Sequence, residues 1–81
     1  MLQRLSELKP GEEGVIQAFD DNAAKVFLLE MGCIPGALVR LDVVAPLGDP
    51  IAITIAGYCL SLRKKDAQHI WVQVAERALT A

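Results

Sequence analysis

At 81 residues the chain is one domain, and a chain of this size buries only about 60–65% of the surface its unfolded form exposes. Its 53% of hydrophobic residues, mainly aliphatic and β-branched, can fill the small core that results, and they favour strands packed face to face over a disulfide-stapled loop fold. The net charge of −2 excludes a general nucleic-acid binder, which needs a basic stripe to displace counterions from phosphates.

Leu5 and Leu8 have the spacing of one helical turn, and Ser6 is placed to cap it. Lys9-Pro10-Gly11 reads as a turn, Pro10 presetting φ and Gly11 supplying the positive φ that follows. Val15 to Phe19 reads as a strand with Val15, Gln17 and Phe19 on one face and Ile16 and Ala18 on the other. Asp20-Asp21-Asn22 ends it and offers capping oxygens to a helix over about 22–31, whose apolar face is Ala24, Phe27, Leu28 and Met31. Val26 and Leu29 lie off that face. Gly32 suits the left-handed position after a helix C-terminus, and Pro35-Gly36 makes the next turn.

Two strands then pair across a loop. In the first, Val39, Leu41 and Val43 oppose Arg40 and Asp42; in the second, Ile51, Ile53 and Ile55 oppose Ala52, Thr54 and Ala56. Pro46 and Pro50 cannot donate to a ladder, so they close it and leave Leu47-Gly48-Asp49 projecting. Gly57 breaks the pattern as a bulge or sharp bend. Tyr58, Leu60 and Leu62 alternate with Cys59, Ser61 and Arg63; Lys64 to His69 is a tight turn of helix; and Ile70, Val72 and Val74 form a last strand with Trp71 and Gln73 outward. Residues 1–75 are thus read as the domain, and Glu76 to Ala81 as a small-residue tail. Five short strands with one inserted helix predict a mainly β fold, a small bent antiparallel barrel whose closure protects strand edges, with an open sheet and packed helix as its competitor.

No catalytic constellation is visible. One His and scattered acids supply no nucleophile beside a base, Glu12-Glu13 point apart on an extended chain, and no GxxxxGK[ST] loop is present. Cys33, Cys59 and His69 are the only soft or imidazole ligands, and no two have metal-ligand spacing. The plain reading has Cys33 beside the helix end, Cys59 on a strand and His69 at a strand start; the metal reading keeps His69 with Asp66 as its least implausible pair. Two cysteines are too few for a disulfide framework, and no leader pattern precedes them, so a cytoplasmic location is expected. The apolar runs are too short and interrupted to span a bilayer. For partner contacts the candidates are the loop tip Leu47, Gly48 and Asp49, the outward Trp71, which the segment around Leu2, Leu5 and Leu8 could instead cover, and Leu29. Arg63 reads as a surface charge.

The stretch Leu29-Glu30-Met31-Gly32-Cys33-Ile34-Pro35-Gly36, followed by one strand and then Ala45-Pro46-Leu47-Gly48-Asp49-Pro50, resembles the ferrous iron transport protein A (FeoA) family. Leu5-Ser6-Glu7-Leu8-Lys9-Pro10-Gly11 before Gly14, and Gly57-Tyr58 leading to Leu60-Ser61-Leu62-Arg63, extend the likeness over most of residues 2 to 74. No piece is specific alone; their order and spacing are. The resemblance implies an SH3-like barrel of about five strands. It also implies a non-enzymatic accessory or regulatory protein of bacterial ferrous iron uptake, without cofactor, docking on the cytoplasmic side of a FeoB-like permease that carries a GTP-binding domain. Such a protein is peripheral to the inner membrane through that partner and does not insert itself; transition-metal binding belongs to the family level only. The alternative is a metal-responsive module like the C-terminal SH3-like domain of iron-dependent repressors.

Overall fold

A computed structural model describes residues 1–74; the expected tail at 76–81, with residue 75, lies outside the described residues. The elements are β1 (Leu2–Arg4), a 3-10 turn (Leu5–Glu7), β2 (Glu13–Phe19), α1 (Asn22–Glu30), β3 (Leu38–Val44), β4 (Ile51–Ile55), β5 (Tyr58–Leu62), α2 (Lys64–Ala67) and β6 (Ile70–Val74). The strands form one antiparallel sheet in the order β1-β6-β2-β3-β4-β5, wrapped around a single apolar core. The sheet has six strands where the sequence suggested about five. The additional one is β1, whose three residues are too few for alternation to register and which pairs with β6 in the register Leu2 to Gln73, Gln3 to Val72 and Arg4 to Trp71. Ser6 does not cap the turn that follows; the Arg4 N–H donates instead to Glu7 Oε1 at 3.3 Å.

Two register shifts correct the expected strand faces. On β2 the pairing with β6 slips between Ile16 and Ala18, and on β3 the pairing with β4 slips between Leu41 and Val43. Each leaves an extra residue, Gln17 and Asp42, and an extra residue reverses the inside-outside alternation beyond it. Ile16 is therefore buried, but Phe19, not Ala18, packs on the core next. Likewise Leu41 is buried, Val43 is 57% exposed, and Val44 takes the inward position. No shift interrupts β4, and Ile51, Ile53 and Ile55 are all buried as the alternation predicts. The β4–β5 hairpin closes through Ala56 and Gly57, both at positive φ, the geometry of a two-residue turn that follows the sheet's twist.

Asp21 caps α1, its Oδ2 accepting the Ala24 N–H at 2.9 Å. Leu28 is fully buried and Ala24 and Met31 pack against the core, whereas Phe27 is 48% exposed and does not belong to the buried face. The helix ends in a Schellman arrangement: the Cys33 N–H reaches the Leu28 carbonyl at 2.9 Å and the Gly32 N–H the Leu29 carbonyl at 3.1 Å. Gly32 is constrained twice. Its φ is +101°, and a Cβ there would overlap the hydroxyl of Tyr58, which donates to the Met31 carbonyl at 2.9 Å and so ties β5 to the helix end.

Gly32→Ala should therefore destabilise by more than the roughly 1 kcal/mol of a positive-φ penalty alone. Urea unfolding of the double variant Gly32→Ala/Tyr58→Phe should recover part of the loss. Equal additive losses would show that the overlap with Tyr58 contributes nothing.

Candidate functional site

Three surface regions gather the chemistry-bearing side chains. The first is the β3–β4 loop. Ala45 accepts the Gly48 N–H at 2.7 Å and donates to the Pro50 carbonyl at 3.1 Å, so hydrogen bonds close the loop at its base. Leu47 at the tip is 97% exposed, the most exposed large apolar residue described. Asp49 is not free. Its Oδ1 accepts the Lys64 N–H at 2.9 Å, satisfying a donor that the first turn of α2 leaves open and fastening the loop to that helix.

A second cluster stands where β2 ends and β6 begins. Asp20 Oδ1 lies 2.7 Å from His69 Nδ1, and its Oδ2 accepts the Trp71 indole N–H at 3.2 Å. A carboxylate can only accept, so Nδ1 of His69 carries the hydrogen. The Arg4 guanidinium sits over the Trp71 ring, 4.8 Å from its centroid. Trp71 points outward as the alternation requires but is half-buried, and Arg4 on β1 lies over its face. The hydrogen bond from His69, with help from Trp71 and Arg4, holds the Asp20 carboxyl below the usual carboxylate range. His69 therefore has Asp20 as its acidic partner and not Asp66, whose carbonyl accepts only the His69 backbone N–H at 3.1 Å. Asp20 had no signal in the sequence beyond that of a strand terminator. The β2–β6 pairing makes the contact, across 49 residues.

The third region is the outer face of β3–β4–β5. Thr54 donates to Asp42 Oδ2 at 2.6 Å, Arg40 Nε donates to Asp42 Oδ1 at 2.7 Å, and Cys59 Sγ stands 3.8 Å from Thr54 Oγ1. Thr54 first, then Arg40, holds Asp42 below its ordinary pKa. A shallow concavity of about 350 Å³ opens beside it over Leu38, Ala37, Ala56 and Gly57, with Glu13 and Arg40 at its edge.

The possible metal ligands are dispersed over these regions. Cys33 is fully buried behind the end of α1, where desolvation raises its thiol pKa and disfavours the thiolate that would bind a metal. Cys59 is exposed on β5 and His69 is engaged with Asp20. Among the described residues no three of His, Cys, Asp and Glu converge. Leu29 is half-buried on α1, next to the exposed Val26 and Phe27.

Comparison with known proteins gives a consistent answer. The FeoA domain model matches residues 3–74, and the chain belongs to that family. A Fe(2+) transport protein A/Fe(2+) transporter FeoB fusion protein of Porphyromonas gingivalis is 35% identical over 79 residues, which are 96% of this chain; the chain spans 9% of that relative's length. The solution structure of a FeoA-like protein from Clostridium acetobutylicum superposes with a TM-score of 0.85 at 31% identity, covering 99% of this chain and 94% of that one. FeoA of Stenotrophomonas maltophilia, a zinc complex described as a procaryotic SH3 domain protein, gives 0.77 at 26% identity, covering 94% and 99%. A manganese-dependent transcriptional repressor shares the fold at a TM-score of 0.83, with 19% identity over 37% of its chain. The fold is thus mainly β and SH3-like, as the sequence resemblance implied.

Asp20 carries a pH prediction. Its folded pKa is depressed, so its contribution to stability is complete above the unfolded value near 3.8 and is lost as pH falls through the lower folded value. Urea unfolding measured from about pH 5 to about pH 2 should show a shallower acid loss for Asp20→Asn than for the wild type. The dispersed ligands carry another. Anaerobic calorimetry with ferrous iron should detect no stoichiometric site tighter than roughly 10 µM, about −7 kcal/mol; a tighter site abolished by changing Cys33, Cys59 or His69 would refute it.

Proposed function

We propose that this chain is a non-enzymatic accessory protein of bacterial ferrous iron uptake, which docks on the cytoplasmic side of a FeoB-like permease carrying a GTP-binding domain. The observation that carries this reading is the fused relative, in which a domain 35% identical to this chain shares one polypeptide with a ferrous iron transporter. Fusion places the two parts at a high effective concentration, an arrangement that serves an association which separate chains must achieve by affinity. The mechanism is binding. The side-chain clusters described above hold the barrel together through hydrogen bonds and offer no nucleophile next to a base. Regulation then requires a different affinity for two states of the permease.

The cytoplasmic location is part of the proposal. It is supported by the free cysteines, and no helix of the described residues is long and apolar enough to cross a membrane. The likeness to manganese-dependent repressors stands at fold level only and brings no sensor function with it. Zinc in the Stenotrophomonas relative is a property of that protein, and among the described residues here no three possible ligands converge.

Among the contact candidates, geometry favours Leu47. Asp49 is committed to α2, Trp71 to Asp20 and Arg4, and Leu29 is half-buried, whereas Leu47 touches nothing that it would have to leave. The loop is already closed by hydrogen bonds at its base, so little ordering entropy is lost on binding. Leu47→Ala should weaken capture of the cognate permease, tested with and without guanine nucleotide, and leave the thermal midpoint nearly unchanged. Loss of the fold would assign Leu47 to the core; intact capture and intact iron uptake would reduce the loop to a connection and move the contact to Trp71 and Leu29.

A further inference from the structure

The two edges of the sheet are not alike. At one, β1 is three residues long and carries Arg4. At the other, β5 runs for five residues, Tyr58–Leu62, and pairs with β4 alone. An edge strand is a template for further pairing, and soluble proteins blunt it with a charge, a proline or a bulge. Within β5 none of these is present: its residues are Tyr, Cys, Leu, Ser and Leu, and its register against β4 is unbroken from Tyr58 to Leu62.

The hairpin decides which backbone groups of β5 face outward. Ala56 and Gly57 form a two-residue turn, so the flanking Ile55 and Tyr58 exchange hydrogen bonds. Hydrogen-bonded pairs alternate along an antiparallel ladder, so Leu60 and Leu62 also bond to β4, through Ile53 and Ile51. Cys59 and Ser61 therefore turn their N–H and C=O groups away from β4. Among the described residues these groups meet no backbone partner. Both residues are exposed, and Leu60 between them packs on the core but is only half-buried.

We propose that β5 pairs with β5 of a second copy of this chain, antiparallel about a two-fold axis at Leu60. In that register Cys59 stands opposite the partner's Ser61, and Ser61 opposite the partner's Cys59. Each pair exchanges its N–H and C=O bonds, so the outward groups of both copies are satisfied. Leu60 meets the partner's Leu60 in the closer, non-hydrogen-bonded position, which covers the apolar surface that the edge leaves open. Moving the axis to Cys59 or to Ser61 sets one outward residue against the partner's Gly57 or the partner's Arg63, outside the strand. No residue of β5 is charged, so the symmetry opposes no like charges within it. The edge is thus complementary to itself in hydrogen bonding, in its apolar pair and in charge. The contact does not use Leu47, so it is independent of the docking reading.

So short an edge buries less than the roughly 1,200 Å² at which specific interfaces begin, so the association is weak, with a Kd of about 0.1–1 mM. Sedimentation equilibrium from about 20 µM to about 2 mM should show a monomer passing into a dimer. The amide resonances of Cys59 and Ser61 should shift over the same range. Ser61→Lys supplies the missing edge charge and should abolish the dimer, with an unchanged thermal midpoint because Ser61 is exposed. Cross-linking reads the register. The wild type carries its exposed thiol at position 59, and Cys59→Ser/Ser61→Cys carries one at position 61, while Cys33 is buried in both. In a mixed pair the two thiols stand opposite, with Cα atoms about 5.5 Å apart and within disulfide reach; in like pairs they are diagonal, about 7–8 Å apart. Aerial oxidation of an equal mixture should therefore give mixed dimers well above their statistical share. A statistical share, a chain that stays monomeric throughout, or association undiminished in Ser61→Lys overturns the proposal. If the chain is monomeric and Ser61→Lys loses capture of the permease, the edge receives a strand of the permease and self-pairing is refuted.

Discussion

A sheet of six short strands in so small a chain can bury its apolar face only by curling over itself and over the few side chains, Leu5, Leu8, Leu28 and Ala67 among them, that its turns and helices supply. Everything else in the molecule follows from that curling. The sheet has to bend, and it does so where β2 and β3 each accept an extra residue, Gln17 and Asp42. These bulges bend their strands and change which side chains look inward. The result is an interior mainly of Leu, Ile and Val, and among the described residues no buried side-chain nitrogen or oxygen lacks a hydrogen-bond partner.

Curling also creates the places where distant segments must be held together. Tyr58 reaches from β5 to the end of α1, Asp20 joins the end of β2 to the start of β6, and Asp49 joins the β3–β4 loop to α2. Tyr58 and Asp49 satisfy backbone groups that a helix end leaves open, and Asp20 bonds the His69 and Trp71 side chains. These polar residues, met singly, look like candidates for chemistry. In place they hold distant segments together, and among the described residues no three of the His, Cys, Asp and Glu side chains converge.

What such a scaffold offers a partner is shape and position. The β3–β4 loop is held at its base by Ala45 and at its far side by Asp49, so its tip is presented by a fixed frame. An exposed leucine on a frame of this kind can discriminate between two states of a large partner at little entropic cost. That is the property an accessory protein needs and an enzyme does not. The relative that joins such a domain to a ferrous iron transporter in one polypeptide is the reason we propose a permease as that partner.

The sequence by itself determined the elements whose signals are local. The helix cap at Asp21, the Gly32 termination, the uninterrupted alternation of Ile51, Ile53 and Ile55, and the projecting Leu47 all rest on residues within a few positions of one another. The order of its turn motifs was enough to identify the family, and hence the SH3-like fold. Tertiary structure decided what depends on pairing across the chain. The strand β1 exists because β6 receives it, the inward turn of Phe19 and Val44 depends on bulges visible only against a partner strand, and α1 meets the core through Leu28, Ala24 and Met31 and leaves Phe27 outside. The same holds for the side chains that carry the candidate contacts. Asp49, Asp20 and Trp71 have their roles fixed by partners 15, 49 and 51 residues away, a separation across which no local period carries information.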